Sequence, residues 1–314
     1  MSENKSFLRN VIGEYMSELG EQYKNIVIVN ADLAGTCRNK SFVEKYPERS
    51  FNMGIAEQNM VSFGAGLACE GFKTYVFSMA PFLTMRACEQ CRTDVAYGNR
   101  DVKMIGVYAG VSGGISGATH WAIEDCGIMT SMPNVTVFEI SDAIQARKIL
   151  DYSAKHNEPM YIRSTVEPTI DIYDDSIEIQ KGGSLEVKEG EDGTFLCTGV
   201  IVQYALEAAN RIQKNTGKHI RVVDMYSIKP IDENAIIEAT KTKRIVVAQD
   251  HNIYGGLGSM VTKVIVEKNL NTKFINAGVN DEFVPMAHAN YLYHHFGIDA
   301  DGLENKMLNL LKEE

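Results

Sequence analysis

One acid stands out by its surroundings: Glu57, in the run FNMGIAEQNM at residues 51–60. Met53, Ile55 and Ala56 lead toward a helix carrying Met60, Val61, Phe63 and Leu67, so the carboxyl falls at a helix start on a largely apolar surface. Burial raises a carboxyl pKa, and a carboxyl held near its protonated form can share a proton with a nitrogen base. The plain alternative is an acid in a first helical turn, which complements the helix dipole. Other reactive groups carry less. Cys88-Glu-Gln-Cys91 matches CxxC, but no second pair stands at zinc-ligand spacing, and small buried hydrophobes are the ordinary reading of scattered cysteines. His288 and the pair His294-His295 have no carboxylate or cysteine at ligand spacing, which leaves them as surface or interface residues. Gly110 to Gly117 and Gly255-Gly256-Leu257-Gly258 could each cradle a phosphate, yet the first strand-helix turn lacks GxGxxG and no Walker sequence exists. A nicotinamide dehydrogenase is therefore disfavoured.

The elements that must position Glu57 alternate. Leu8 to Leu19 reads as an amphipathic helix after a Ser6 cap, residues 25–29 as a buried strand, and Ser41 to Tyr46 as a short helix. Strand Thr74 to Phe77 follows, then a helix from Pro81 to about Tyr97, strand Val102 to Tyr108, the loop AGVSGGISGATH and helix Ile123 to Met129. Strand Val135 to Glu139, helix Asp142 to Ala154 and strand Met160 to Arg163 complete this half. Repeated strand-helix alternation predicts a parallel sheet covered on both faces. Residues 164–193 are acidic and Gly-containing and read as a linker. Beyond them a second α/β unit runs from Thr194 to Asn276, giving two domains divided at 185/186.

Composition sets the outer bounds. With 314 residues, 45% hydrophobic and 23% charged, the chain has a globular mixture and room for two ordinary domains. No apolar run reaches bilayer-spanning length and residues 1–10 lack signal-peptide order, so a cytoplasmic address without a membrane partner is expected. The net charge of -10, with no Lys/Arg stripe to offset it, argues against a nucleic-acid partner; a small anionic substrate would need locally placed Arg.

Taken in order, GIAEQNM, PFLTMRACEQCRTDVAY, VKMIGVYAG, SGGISGATHWAIED and MPNVTVFEISDA resemble the transketolase family of thiamine-diphosphate enzymes, and YSIKPID with RIVVAQDHNIYGGLGS resembles that family's C-terminal domain. The resemblance implies a pyrimidine-binding thiamine-diphosphate fold followed by a transketolase C-terminal-like α/β domain. The family's diphosphate- and Mg²⁺-binding domain, with its GDG motif and following Asn, has no counterpart in the sequence. The chain thus looks like the C-terminal subunit of a split transketolase, with thiamine diphosphate as cofactor, Mg²⁺ held by an N-terminal partner subunit, and an α2β2 heterotetramer as the expected assembly.

By the same resemblance, Glu57 hydrogen-bonds the cofactor's aminopyrimidine and promotes loss of the thiazolium C2 proton. Phe82 stands at the position of a ring stacked on the pyrimidine, with Phe77 or Met79 as neighbours, and Asp32 matches a residue near the thiazolium. His120, in ATH, would bond the donor carbonyl or its developing oxygen. Arg9, Thr36 and Arg163 fall where the family surrounds an acceptor phosphate; the ordinary alternatives are a solvated helix residue for Arg9, a turn former for Asp32 and a sheet-edge cation for Arg163. Two departures touch the donor's hydroxyls: Tyr108 where sugar-handling relatives carry His, and Ser116 where they carry Asp. Ketol transfer between a ketose, or ketose phosphate, and an aldose is the implied reaction, with the usual ketose phosphate donor in doubt. The β subunit of a 2-oxo acid dehydrogenase shares the two-domain layout, but ATHWAIED favours the transketolase branch. A catalytically silent assembly subunit would have no use for Glu57 and His120, and deoxyxylulose-phosphate synthase is a single longer chain.

Overall fold

The structure, a computed structural model, describes residues 5–283 and 286–312. Fourteen strands are found among them: β1 Lys5–Phe7, β2 Ile26–Asn30, β3 Ser50–Asn52, β4 Lys73–Met79, β5 Val102–Val107, β6 Thr136–Glu139, β7 Met160–Arg163, β8 Pro168–Ile170, β9 Leu185–Lys188, β10 Gly193–Cys197, β11 Ile220–Asp224, β12 Ser227–Lys229, β13 Arg244–Asn252 and β14 Lys273–Val279. A seven-stranded sheet has the order β12-β6-β7-β5-β4-β2-β3, and a five-stranded sheet the order β14-β13-β10-β11-β9. Every pair in the first sheet is parallel except β12 with β6, and in the second except β9 with β11.

The hydrophobic runs explain why these strands lie inside. Successive residues of a strand point to opposite faces. Ile26 and Ile28 pack with Leu8, Ile12, Met16 and Leu19 of helix Leu8–Gln22, whereas Val29 and Ala31 pack with Met60, Val61 and Ala65 of helix Glu57–Cys69. The second sheet repeats the scheme, with helix Ile201–Thr216 on one face and helices Glu233–Thr240 and Leu257–Glu267 on the other.

Several elements differ from the sequence expectation. Helix Leu8–Gln22 starts after Phe7 without a side-chain cap, not from Ser6, because β1 pairs with β8 up to that point. The helix expected over Pro81 to Tyr97 is interrupted. Phe82–Arg86 and Cys91–Tyr97 are wound as π-helical turns, with a short α-helical piece at Cys88–Gln90 between them. There the Thr84 hydroxyl donates to the Ala80 carbonyl at 2.8 Å, competing with the backbone for that acceptor. The stretch 164–193 is a strap, not a free linker. It contains β8 and β9, and Asp142 Oδ2 accepts from the N–H groups of Ile172 and Tyr173, both at 2.8 Å. Strand β12 crosses the sequence division altogether, coming from the second half to close the edge of the first sheet. Helices Ala289–Phe296 and Ala300–Lys312 cover the second sheet beyond the last expected strand. No helix among the described residues is long and apolar enough to cross a membrane.

Candidate active site

Parallel strands bring their C-terminal ends to one edge, where open α/β sheets place their ligands. Asn30 of β2 pairs with Asn52 of β3 and Phe77 of β4, and Met79 of β4 with Val107 of β5. Asp32, Phe82 and Tyr108 therefore emerge from neighbouring strands at the same edge. Glu57 follows β3 as the first residue of its helix and is 1% exposed.

Two groupings form at that edge. In one, Arg86 Nη1 donates to Glu57 Oε2 at 2.8 Å, and the same guanidinium lies 4.2 Å from the Phe82 ring centroid. Phe82 meets His120 edge to face, with ring centroids 5.3 Å apart, and Thr119 Oγ1 lies 2.9 Å from His120 Nδ1. The acid that the sequence set on an apolar surface thus has a cationic partner. Arg86 was not singled out from the sequence, although it stands four residues after Phe82 in FLTMR, a spacing that brings side chains together on a helix.

In the other grouping, Arg9, Tyr108 and Ser116 line a cavity of about 320 Å³ together with Ser112, Glu167 and His288. Arg9 Nη1 donates to the Tyr108 hydroxyl at 3.0 Å. Tyr108 has φ 64°, a left-handed backbone conformation that is strained for a bulky residue and is found where surrounding structure enforces it. Glu167 and His288 are further residues that the sequence did not single out for the site. Asp32 is exposed on the loop after β2, with φ 59°, its N–H donating to Asn52 Oδ1 at 2.9 Å. Thr36 is half-buried on the same loop, and Met79 packs against the core below the edge.

Arg163 does not join either grouping, which corrects its expected place beside a phosphate. It is 1% exposed, at the end of β7 where the two domains meet. Its Nε donates to Asp125 Oδ2 at 2.7 Å, Nη1 to Glu139, and Nη2 to the carbonyls of Asp250 at 2.6 Å and Ala122 at 3.3 Å. A guanidinium held this way has no face to offer a ligand. Around it, burial pushes the Asp250 carboxyl up to about 7 despite the pull of Arg163, and burial brings His251 down to about 4.

The glycine motifs serve the same meeting of domains. A Cβ on Gly110 would lie 2.0 Å from the Asp250 carboxyl carbon, and Asp250 Oδ1 accepts from Val111 N at 2.9 Å. Gly255 packs its backbone on Gly127, where a Cβ would come within 2.9 Å of the Gly127 Cα. Both loops are Gly-containing because a group of the other domain comes too close for a Cβ, a side chain at Gly110 and backbone at Gly255. Cys88 and Cys91 are free thiols, and burial pushes Cys91 up. His294 is exposed and its Nδ1 lies 2.8 Å from Asp299 Oδ2, a carboxylate that sequence spacing did not reveal.

The model of the transketolase pyrimidine-binding domain matches residues 5–168, and that of the transketolase C-terminal domain matches residues 182–303. A putative transketolase C-terminal section from Methanocaldococcus jannaschii is 37% identical over 312 residues, covering 98% of this chain and 97% of that one. A subunit of the apulose-4-phosphate transketolase from Phocaeicola vulgatus is 33% identical, covering 100% of both chains. Among solved structures, a split-gene transketolase described as an inactive β4 tetramer superposes with a TM-score of 0.89 at 34% identity, covering 97% of this chain and 98% of that one. Transketolase from Campylobacter jejuni shares the fold, with a TM-score of 0.83 at 19% identity over 98% of this chain and 47% of its own length. Matches of this extent, running through both domains, show that the chain belongs to the transketolase family as the C-terminal subunit of a split transketolase.

Proposed function

We propose that this subunit, with a pyrimidine-binding domain at 1–185 and a C-terminal domain at 186–314, transfers a two-carbon ketol unit from a ketose donor to an aldose acceptor only when assembled with a separate subunit. That partner would carry the diphosphate-binding domain and the Mg²⁺ ligands, and the assembly would be an α2β2 heterotetramer in the cytoplasm. The observation that carries this reading is Glu57: a buried carboxylate at the open edge of a parallel sheet, beside a half-buried aromatic ring and a histidine. Such a set suits half of a cleft for the aminopyrimidine of thiamine diphosphate, since it offers a proton acceptor and an aromatic surface together. Thiamine diphosphate, when bound, supplies the carbon nucleophile that attacks the donor carbonyl.

The chain's own residues have definite tasks. Glu57 accepts a hydrogen bond from a ring nitrogen and holds the proton there. Arg86 covers both Glu57 and Phe82, and its side chain is 46% exposed, so it can swing outward to let a heteroaromatic ring reach either group. His120, oriented through Nδ1 by Thr119, keeps Nε2 for an oxygen of the substrate. Asp32, Met79 and Phe82 would flank the cofactor, and Arg9, Thr36, Tyr108, Ser116 and His120 the sugar. The relatives described carry transketolase names, which favours this reading over a 2-oxo acid dehydrogenase β subunit.

The test is reconstitution. The chain purified alone is expected to bind thiamine diphosphate weakly and to turn over nothing, and the mixture with its partner to do both. Tight cofactor binding or ketol transfer by the isolated chain would overturn the partner requirement. Full activity of a complex carrying Glu57→Gln would instead favour a silent assembly role.

A further inference from the structure

The cavity at the sheet edge has a charge pattern unlike that of a phosphate site. Arg163, expected to bring a second guanidinium, is held inside the protein by Asp125 and Glu139. Arg9 remains, and one of its amino groups already donates to Tyr108. The same lining holds His288 and Glu167, the latter half-buried. Its backbone is fixed on a short segment between β7 and β8: Glu167 N donates to Thr165 Oγ1 at 3.0 Å, and Pro168 pairs with Phe7 at the start of β8. Burial pushes the Glu167 carboxyl up, and His288 opposes this. An ionised carboxylate only accepts hydrogen bonds. It suits hydroxyl groups as donors, and it repels a phosphate dianion seated in the same small cavity. Tyr108, Ser112 and Ser116 add three further hydroxyls to the lining and no charge.

We propose that Glu167 determines specificity in this cavity by selecting the uncharged, hydroxyl-bearing end of a sugar and rejecting the phosphate ester of the same sugar. The inference rests on the ketol-transfer reading, which makes this cavity the sugar site. It also departs from the three-residue phosphate site expected from the sequence.

The complex reconstituted with its partner tests it through two aldose acceptors, erythrose and erythrose 4-phosphate. The expected result is a kcat/KM at least about tenfold higher for erythrose, the lower end of the discrimination that a single pocket contact gives. Glu167→Gln should narrow that ratio, and Glu167→Arg should invert it. A second readout avoids turnover. Trp121, the chain's single tryptophan, donates its indole N–H at 3.1 Å to the carbonyl of Gly114, which lines the cavity. Inorganic phosphate titrated onto the full chain should leave Trp121 fluorescence unchanged in the wild type and change it saturably in Glu167→Arg. Preference of the wild type for erythrose 4-phosphate, equal ratios in all three proteins, or saturable phosphate binding by the wild type would each overturn the proposal. If the complex turned over neither aldose, the ketol-transfer reading would fail, and the phosphate titration would still decide the preference of the cavity.

Discussion

Glu57 has a structural setting that can be separated from its proposed chemical role. Its carboxyl is buried at a helix start, where the dipole favours negative charge, and Arg86 supplies a counter-charge from the interrupted helix opposite. Removing the acid's proton affinity while keeping its shape isolates the chemical role. Glu57→Gln keeps the volume and can still accept from Arg86 through its carbonyl oxygen, so thermal unfolding should shift little. Exchange of the cofactor's C2 proton in the assembled complex should slow by about 10²–10⁴-fold, the range for a lost general acid or base. An unchanged exchange rate would remove Glu57 from the mechanism. The sequence marked this acid because its neighbours are apolar; it did not mark Arg86, whose contact depends on how the helix after β4 is wound.

At the scale of elements, the Gly-rich loop after β5 is the informative case. From sequence it could be a phosphate cradle or a packing device, and spacing alone does not separate the two. In the structure Gly110 has φ 65° and presses on Asp250 of the second domain. Gly110→Ala would place a methyl group inside the van der Waals radius of that carboxyl, and a left-handed alanine adds about 1–2 kcal/mol on its own. The variant is expected to unfold at lower temperature, with loss of the Val111 N–H to Asp250 hydrogen bond visible as faster amide exchange at Val111. Wild-type stability in Gly110→Ala would show that the loop does not depend on this approach. The helix after β4 carries a related lesson: Pro81 correctly marks its first turn, but the π-helical turns, the first of them beside the Thr84 hydroxyl's bond to the Ala80 carbonyl, are a winding that periodicity does not register.

Across the whole molecule, buried polar groups tie the two domains and the strap together. Asp224, at the end of β11, accepts through Oδ2 from Ser141 Oγ at 2.7 Å, Gln145 Nε2 at 2.8 Å and Tyr173 OH at 2.8 Å, joining both domains to the strap. Burial nevertheless pushes its carboxyl from 3.8 up to about 7, against the pull of those three bonds. A raised folded pKa contributes stability that is complete below the unfolded value and lost as pH rises through the folded one. Asp224→Asn keeps an acceptor for these donors and does not titrate. Its stability relative to the wild type should therefore rise between about pH 4 and pH 7 and then level off, as read from denaturant unfolding at a series of pH values. A difference independent of pH would show that this carboxyl does not titrate in the window.

The sequence by itself determined the alternation of strands and helices, the parallel sheets, the placement of Glu57 at a helix start and the family. Each depends on local periodicity or on a short ordered motif, and Met160 to Arg163 and Ile220 to Asp224 coincide with β7 and β11 residue for residue. Only the tertiary structure decided which charges meet. It gave Arg86 to Glu57, sent Arg163 to the interior between Asp125 and Glu139, brought β12 across to the first sheet, and set Glu167 in the wall of the sheet-edge cavity. Asp125 and Arg163 are 38 positions apart, Arg86 and Glu57 are 29 apart, and Asp250 reaches Val111 across 139. The physical reason is that such pairings answer to burial and to the cost of an unpaired charge, and both exist only once the sheets have closed over them.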